Sequence, residues 1–376
     1  MRSAFAAPVK RGLLPRLMPV LLLTLPSLSV AQDYKVAFSD QRKGDSYSWY
    51  YVTNGDGSGA RHLTDIGITS IGSWSPDGQR IAYFAQANRG TDPELMKKYK
   101  LPLHSPLYVM NADGSNRHRV LDVPAAAWGV WWSPDGKSLL FDSSYEDPNQ
   151  NDPAVQKGSK GLVLGLYVLD LQTGKNRSLT RLPQNSYPSW SPDGREVVFS
   201  SGLTSAALEI YSIGIDGRNA RRLTSRRGSA MRPMFAPNGQ LIAFQAVPRP
   251  GAPETDPASG VFVMNKDGSG QTRLAGRIGR DYSWSPDGKN ILIGGNGVYI
   301  INVDTKMERK LDFVPSNALD IVFSPDGGRI LYRVFERGKG GLFTVKVDGS
   351  EPRTLTESPN GTGPFAVSML LRGPTR

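Results

Sequence analysis

Five arginines in two short stretches of the chain have the chemistry to bind an anion. Arg226, Arg227 and Arg232 lie in the stretch LTSRRGSAMRP, and Arg277 and Arg280 lie in LAGRIGRDY. A guanidinium group binds a carboxylate or a phosphate through two parallel N–H donors. If the fold brings the two stretches together, they predict a binding site for such a group. The alternative is a basic edge that contacts only solvent.

Two carboxylates complete the candidate site. Asp281 follows Arg280 directly, and Asp320 stands just ahead of the strand-like segment IVFSPDG. Carboxylates brought together from distant parts of a chain can perform glycoside chemistry, one as acid and the other as base or nucleophile. The same groups could instead neutralise the arginines. The sequence assigns no catalytic residue, and both interpretations stay open.

The residues needed for several other kinds of site are missing from the sequence. There is no cysteine, no G-x-S-x-G nucleophile motif and no phosphate-binding loop. The three histidines are His62, His104 and His118. We expect two of them on outer strands and one in an insertion, so that they do not converge on a metal ion. No metal and no cofactor are therefore expected.

A repeated turn indicates the elements that position these residues. The stretch SWSPDG begins at Ser73, Ser189 and Ser283, and WWSPDG, MFAPNG and VFSPDG are looser copies. In such a turn proline fixes φ at the second position, and glycine accepts a positive φ at the fourth. Short runs of β-branched and aromatic residues follow each copy, and a second turn, mostly Asp-Gly, separates the last two runs. Each repeat therefore predicts four antiparallel strands.

Four strands joined by tight turns form one blade of a β-propeller. Each blade has two apolar faces, so the tryptophans ahead of four of the turns are expected to fill the gaps between blades. They are Trp74, Trp132, Trp190 and Trp284. The segment 363–370 matches a first strand and should pair beside 34–39. The prediction is an all-β, seven-bladed ring of four-stranded antiparallel blades, closed by the C-terminal strand. A six-bladed ring with a loose terminal segment is the alternative.

The repeats differ in length mainly between their second and third strands. The extra residues follow Phe84, Ser143 and Ala246. In an up-and-down blade this connection shares a face with the crossover to the next blade, and both kinds of turn lie on the other face. The arginine-containing stretches are crossovers. Insertions and candidate residues are thus expected on one face, which repeat proteins commonly use for binding. Tolerated variation in loop length is the alternative.

Residues 1–31 have the character of a cleaved export signal. Four basic residues precede the apolar run LMPVLLLTLPSLSVA, which ends with small residues at Ser29 and Ala31. Cleavage after Ala31 would leave a single propeller domain over 32–376 in the periplasm, with no transmembrane segment. The leader holds no acid, so the formal charge of +11 falls to +7 after cleavage. This charge favours anionic envelope partners, and export argues against nucleic acid.

The repeats resemble those of the TolB-type propeller family. The resemblance lies in SWSPDGQRIAYF followed by LYVMNADGSNRHRVL, and further copies extend it over about 34–371. It implies a periplasmic propeller that binds proteins, but the residues that carry it are structural and imply no single activity. The family's namesake has an α/β domain ahead of a six-bladed propeller. Because the leader here runs almost directly into the first strand, we expect that domain to be absent.

Two functions remain as alternatives. The first is an exported, monomeric propeller that performs no catalysis and binds a protein or another envelope component on the face with the insertions. The second is a carbohydrate-active hydrolase or lyase whose carboxylates surround the ring axis. The lack of a visible catalytic constellation favours the first function.

Overall fold

The computed structural model describes most of the chain between residues 34 and 368. The described ranges are 34–40, 49–64, 67–68, 72–85, 106–123, 127–143, 165–180, 182–202, 207–226, 228–248, 256–336, 339–358 and 366–368. The predicted export signal and most residues of the largest predicted insertions lie outside these ranges. Within them, no helix has the length and apolar character needed to cross a membrane.

The strands of the described ranges form seven antiparallel sheets of four strands, arranged as blades in a ring. Blade 1 consists of β1 (Lys35–Asp40), β2 (Trp49–Asn54), β3 (Arg61–His62) and the chain's last strand, β28 (Ala366–Ser368); blade 2 of β4 (Ser73–Trp74), β5 (Arg80–Phe84), β6 (Leu107–Asn111) and β7 (His118–Leu121); blade 3 of β8 (Ala127–Trp132), β9 (Ser138–Ser143), β10 (Gly165–Asp170) and β11 (Asn176–Ser178). Blade 4 consists of β12 (Ser186–Trp190), β13 (Glu196–Ser201), β14 (Glu209–Gly214) and β15 (Arg221–Arg222); blade 5 of β16 (Gly228–Phe235), β17 (Leu241–Pro248), β18 (Gly260–Asn265) and β19 (Thr272–Ala275). Blade 6 consists of β20 (Asp281–Trp284), β21 (Asn290–Gly295), β22 (Gly297–Asn302) and β23 (Glu308–Lys310); blade 7 of β24 (Leu319–Phe323), β25 (Arg329–Glu336), β26 (Lys339–Lys346) and β27 (Arg353–Ser358).

The first strands of neighbouring blades lie against each other, as β12 does against β16 and β20 against β24. They are therefore the inner strands of the ring. In blades 2–7 the remaining strands follow outward in chain order. In blade 1, β28 takes the place of the first strand.

Side-chain hydrogen bonds explain the repeated spelling of the first turn. In blade 3, the Gly136 N–H donates to the carbonyl of Ser133 (2.9 Å), and Gly136 has a φ of 68°. The Ser133 hydroxyl donates to Asp135 Oδ1 (2.6 Å), which also accepts the N–H of Lys137 (3.1 Å). The bond from the serine hydroxyl holds the pKa of Asp135 below its usual value. Serine and aspartate therefore have a structural role in this turn.

The first-turn glycines of blades 3–7 also lie close to the preceding blade. A Cβ atom added to Gly194 would lie 3.6 Å from Cδ of Pro134, in the turn before it. The same relation joins Gly136 to Pro76, Gly239 to Pro192, Gly288 to Pro237 and Gly327 to Pro286. The turns of blades 2–7 thus form a continuous band. We call the side of the ring that carries them the turn face.

The tryptophans ahead of the first turns lie between blades, as predicted. Trp132 and Trp284 are buried. The indole N–H of each donates to a main-chain carbonyl on the inner strand of the preceding blade, that of Ser73 (2.9 Å) and of Met234 (3.2 Å) respectively. These rings therefore serve as core packing and not as a platform for carbohydrate.

Stacked aromatic rings from the second and third strands fill most blades. The pairs are Phe38–Tyr51, Tyr83–Tyr108, Phe141–Tyr167, Phe199–Tyr211, Phe244–Phe262 and Tyr332–Phe343. Blade 6 differs, because Ile293 lies opposite Tyr299. One ring of the pair is thus replaced by an aliphatic side chain in that blade.

The ring is closed by the C-terminal strand. β28 pairs antiparallel with β1, so that Ala37 lies opposite Ser368 and Ser39 opposite Ala366. This pairing covers part of an edge of β1 that would otherwise have free backbone donors and acceptors. The predicted seven-bladed ring is confirmed, and the six-bladed alternative is wrong.

Candidate functional site

The inner strands of four blades contain a register shift near their start. It lies between Ala127 and Val130, Ser186 and Ser189, Met231 and Met234, and Leu319 and Val322. Such a β-bulge redirects side chains and is common beside functional sites. In blades 2–7 an aromatic residue directly precedes the first turn. We use the name bulge position for the residue three places before that aromatic residue. It is Gly129, Tyr187, Arg232 and Asp320 in these strands, and Asp281 in the regular strand β20.

The bulge position lies at the end of the inner strand that is remote from the turn face. Asp281 pairs with Gly294, near the end of β21, where the chain leaves for the third strand. We call this side the inserted face, because the sequence places its insertions in the same connections. The structure brings together four of the candidate residues here, namely Arg232, Arg280, Asp281 and Asp320.

Three bulge positions have a left-handed backbone, although none of them is glycine. The φ angle is 52° at Tyr187, 55° at Arg232 and 50° at Asp320. This conformation costs roughly 1–2 kcal/mol for a residue with a side chain. Side chains bind the amides near the register shift: the Arg232 N–H donates to the hydroxyl of Ser200 (3.1 Å), and the Asp320 N–H donates to Asp281 Oδ2 (3.0 Å).

A row of charged side chains, two carboxylates between two arginines, links the bulge positions of blades 5–7. Arg232 Nη1 lies 4.0 Å from Asp281 Oδ1, and Arg333 Nε donates to Asp320 Oδ2 (2.8 Å). At the end of the row in blade 4, the ring of Tyr187 lies against the Arg232 guanidinium, with 5.1 Å between the ring centre and Cζ. We call these five residues the charged arc. The four charged side chains are 14–34% exposed, so solvent and salt screen their interactions less than those of fully exposed pairs.

Tyr282 fixes the main chain of Arg232 from within the core. Its hydroxyl donates to the carbonyl of Arg232 and lies 3.2 Å from the carbonyl oxygen of Ala243. Burial raises the pKa of Tyr282 far above its ordinary value. The phenol therefore keeps its proton and its donor role, and blade 6 holds the backbone of an arginine in blade 5.

Arg226 is engaged within the protein. Its guanidinium donates to Gln271 Oε1 and to the carbonyl of Ala258, both at 3.1 Å. It also lies 4.2 Å from the ring centre of Phe262, a cation–π contact. Burial lowers the pKa of Arg226, and the charge of Glu209 opposes this shift. Arg226 therefore ties the crossover from blade 4 to the sheet of blade 5.

Arg277 has a similar role in the next crossover. Its Cζ atom lies 3.6 Å from the ring centre of Tyr299, and its guanidinium binds the carboxylate of Glu308. Blade 6 has Ile293 where most blades have an aromatic ring in the second strand, and Arg277 supplies a planar group that stacks on Tyr299 instead. Arg227, the remaining candidate arginine, lies outside the described residues.

Arg280 is exposed on the inserted face. Its N–H donates to the carbonyl of Gly294 (2.8 Å), and its own carbonyl accepts from Arg232 Nη1. Its guanidinium contacts no partner in the part of the chain that the structure describes. Two apolar side chains on the same face are also exposed, Tyr187 at 45% and Ile278 at 42%. Cationic and apolar groups thus share one surface.

The histidines that are described lie on outer strands, as predicted. His62 is in β3 beside the rings of Trp49 and Tyr51, and His118 is in β7. His104 is not among the described residues. Within the described ranges, no three His, Asp or Glu side chains are grouped so that they could hold a metal ion.

Tyr187 and Arg333 belong to the charged arc but were not predicted from the sequence. A signal for Tyr187 exists, because it stands three places before Trp190 just as Arg232 stands three places before Phe235. Aligning the repeats on that aromatic residue would have placed it. Arg333 has no such signal, because its contact depends on the register of β25 against the bulge.

Comparisons with known proteins agree with this architecture. The family described as TolB beta propeller domain matches residues 163–295. The Tol-Pal system protein TolB of Francisella tularensis subsp. mediasiatica is 29% identical, over 72% of this chain and 58% of that protein. The uncharacterized peptidase YuxL of Bacillus subtilis is 28% identical, over 43% of this chain and 26% of that protein. The chain spans less than two thirds of the length of either relative.

A solved structure of an oligogalacturonate lyase in complex with manganese has a similar fold. Its TM-score is 0.58 at 12% identity, and the match covers 86% of this chain and 85% of that chain. At this identity the likeness concerns the fold alone. The repeated turns, the sheet topology and the family match over residues 163–295 agree that the fold is a TolB-like β-propeller.

Proposed function

We propose that this chain is a binding propeller that takes a protein or another anionic component of the cell envelope on its inserted face. The main support is the backbone at Tyr187, Arg232 and Asp320, where a side chain is kept in the left-handed region. Glycine would adopt that conformation without strain. Strain that persists at neighbouring positions on one face is typical of sites where the side chains are used.

The charge and the leader support a place in the envelope. Residues 1–31 resemble an export signal, and the formal charge of the remaining chain is +7. A basic exported protein encounters anionic partners in the periplasm. The name of the Francisella relative assigns that protein to the Tol-Pal system. We therefore propose that the protein is a monomer in the periplasm. Light scattering after size-exclusion chromatography would test the monomeric state.

A pull-down from an envelope extract tests the proposed face. The bait is the full chain, in wild-type form and as the double variant Arg232→Gln, Arg280→Gln. The matched control, Arg195→Gln with Arg218→Gln, removes the same two charges from exposed residues of the turn face. We expect a bound component to be lost from the first variant and kept by the control. A component that both variants retain would contradict the proposal.

Catalysis by two axial carboxylates is the second candidate function. Asp281 and Asp320 come from adjacent inner strands, and Asp281 Oδ2 lies 3.0 Å from the Asp320 N–H nitrogen. Each carboxylate already faces a guanidinium group, that of Arg232 or Arg333. Both carboxylates are thus engaged by protein groups and are not held free to exchange a proton with a bound substrate. The arrangement therefore suits binding better than acid catalysis.

Incubation with polygalacturonate and other acidic polysaccharides separates the two functions. Hydrolysis would release new reducing ends, and elimination would also create unsaturated ends that absorb ultraviolet light. The binding proposal predicts neither product. Turnover by the wild type that is lost in Asp281→Asn would establish an enzyme and overturn that proposal.

A further inference from the structure

Four exposed or half-buried residues share the inserted face across blades 4–6. The ring of Tyr187 lies against the Arg232 guanidinium, Arg232 Nη1 donates to the carbonyl of Arg280, and Ile278 stands two residues before Arg280. We call Tyr187, Arg232, Arg280 and Ile278 the recognition patch. Tyr187 flanks Arg232 in space, and the exposed Ile278 belongs to the same crossover as Arg280.

The two cations keep unused hydrogen-bond donors. Arg232 Nη1 is taken by the carbonyl of Arg280 and by Asp281, but its Nη2 has no acceptor among the described residues. The Nε atom of Arg232 is buried and also lacks an acceptor there. A buried N–H without an acceptor is unfavourable, so the described part of the chain does not satisfy the Arg232 guanidinium fully.

The arginines outside the patch are different. Arg226 and Arg277 are engaged by neighbouring rings and by Gln271 and Glu308, and Arg333 is paired with Asp320. Arg277 Nε is also buried without an acceptor among the described residues, but the Arg277 guanidinium is covered by Tyr299 and bound by Glu308, whereas the side chain of Arg280 is exposed. Because Nε is buried, Nη2 is the free donor of Arg232 for a carboxylate from outside, and the exposed guanidinium of Arg280 offers further donors on the same face.

Building on the proposed function, we infer that the recognition patch binds an extended protein segment that contains an acidic residue. The neighbours of that acidic residue on both sides are apolar. The carboxylate accepts from Nη2 of Arg232 and from the guanidinium of Arg280. The flanking apolar side chains lie on Tyr187 and Ile278. A carboxylate at the end of a chain would leave one of these apolar positions unfilled.

A protein segment fits the patch better than a uronate polymer. Ile278 offers a sugar ring neither a hydrogen bond nor an aromatic face, whereas it can bury an aliphatic side chain. Tyrosine and arginine together are also the side chains that most often dominate binding at protein interfaces. Attraction of an acidic side chain to the two arginines is consistent with the positive charge of the chain.

The test is a selection from a library of displayed random heptapeptides, with the full chain as the bait. Each heptapeptide lies within a longer displayed sequence, so that neither of its ends is free. We expect the selected peptides to share an Asp or Glu with apolar residues on each side. In fluorescence anisotropy, changing that acid to its amide should weaken binding at least tenfold. Arg280→Gln should weaken the acidic peptide similarly but leave the amide peptide unchanged, which a double-mutant cycle measures. Arg218→Gln, on the turn face, should leave both affinities unchanged.

Several outcomes would overturn the inference. One is a selection without an acidic consensus, and another is an acidic peptide that binds Arg280→Gln and wild type equally. Arginine-dependent binding of peptides with a free C-terminal carboxylate, or of oligogalacturonate, with no internal acidic peptide selected, would assign the patch to another ligand class. The pull-down distinguishes this failure from failure of the proposed function. A component that fails to bind the variant Arg232→Gln, Arg280→Gln, but that acidic peptide does not displace from wild type, would contradict the inference about the ligand. It would leave the proposed function intact.

Discussion

The two ends of the inner strands use the same left-handed backbone conformation in different ways. At the turn face, the residue is glycine in each described first turn, and its φ lies between 65° and 70°. At the inserted face, Tyr187, Arg232 and Asp320 adopt φ angles of 50–55°. Glycine adopts the left-handed conformation without strain, whereas a residue with a Cβ atom is strained in it by roughly 1–2 kcal/mol.

The two ends also differ in how uniform they are. The bond from a serine hydroxyl to the turn aspartate recurs from blade to blade, as in Ser133–Asp135 and Ser285–Asp287. The bulge position instead holds glycine, tyrosine, arginine or aspartate. Geometry shared by all blades dictates the residues of the turn face. It does not dictate those of the inserted face, so the side chains there are available for a function that differs around the ring.

Gly288→Val should have the largest effect, because it removes glycine from the uniform end. A β-branched residue at φ of 70° is strained, and its side chain would contact Pro237 of the preceding turn. We expect the free energy of unfolding to fall by about 2 kcal/mol, measured by urea denaturation. Gly288→Asn is the control and should cost less, because asparagine tolerates this region. Equal stability of the two variants would show that φ does not limit the turn.

Much of the fold could be predicted from the sequence because the repeats encode local geometry. The turn residues, the tryptophans between blades and the closing strand each act within one repeat or at a junction that every repeat shares. Asp281 and Asp320 were expected just ahead of their strands, and the structure places them within β20 and β24. For Asp320 the error in the predicted start of the strand has a physical reason, because the bulge in β24 adds a residue that strand periodicity does not reveal.

The candidate site could be predicted only in part. The five arginines are equivalent in the sequence, but their partners are not. Arg226 donates to Gln271 and Ala258, which lie 45 and 32 residues further along the chain. Arg280 has no such partner among the residues described here. Which arginine stays free is decided by contacts between blades, and a single sequence does not show these contacts.

Tyr187→Gly should separate binding from stability at the strained end. The change relieves a backbone strain of roughly 1–2 kcal/mol, which is offset by the loss of a cation–π contact worth about 0.5–1 kcal/mol and by the cost of about 0.5–1 kcal/mol for glycine in a strand. We expect the melting temperature to change little and the affinity for the selected acidic peptide to fall about tenfold. Calorimetry and fluorescence anisotropy measure the two quantities. A large loss of stability would show that Tyr187 has a structural role, and the contrast between the two ends would fail.

Arg277→Ala should give the opposite pattern to a change at Arg280. Arg277 stacks on Tyr299 and binds Glu308, so its removal should cost about 1 kcal/mol of stability. Peptide affinity should stay at the wild-type value. Arg280→Ala, three residues further on, should lower affinity and leave the urea midpoint unchanged. If Arg277→Ala weakened binding as much as Arg280→Ala, both arginines would belong to one binding surface.

The turn of blade 5 offers a smaller test, because it departs from the uniform pattern. It reads Ala236-Pro-Asn238-Gly, and Asn238 Oδ1 accepts the N–H of Gln240 (3.0 Å) without a serine hydroxyl beside it. The double variant Ala236→Ser, Asn238→Asp should recreate the bonds seen at Ser133 and Asp135. We expect a gain of about 1 kcal/mol at pH 7, measured by urea denaturation. Ala236→Ser alone should gain less, because the hydroxyl then lacks the charged acceptor.

The pH dependence of this gain identifies its source. The serine hydroxyl lowers the pKa of Asp135, Asp193 and Asp287 in the equivalent turns. A carboxyl whose pKa is lower in the folded state stabilises the fold above its unfolded pKa of about 3.9, and that stabilisation is lost as the pH falls through the folded value. The advantage of the double variant over wild type should therefore be full at pH 7 and should shrink progressively below about pH 4. An advantage of the same size in acid would attribute the gain to packing of the serine, and the carboxylate would then not be what makes the turn face uniform.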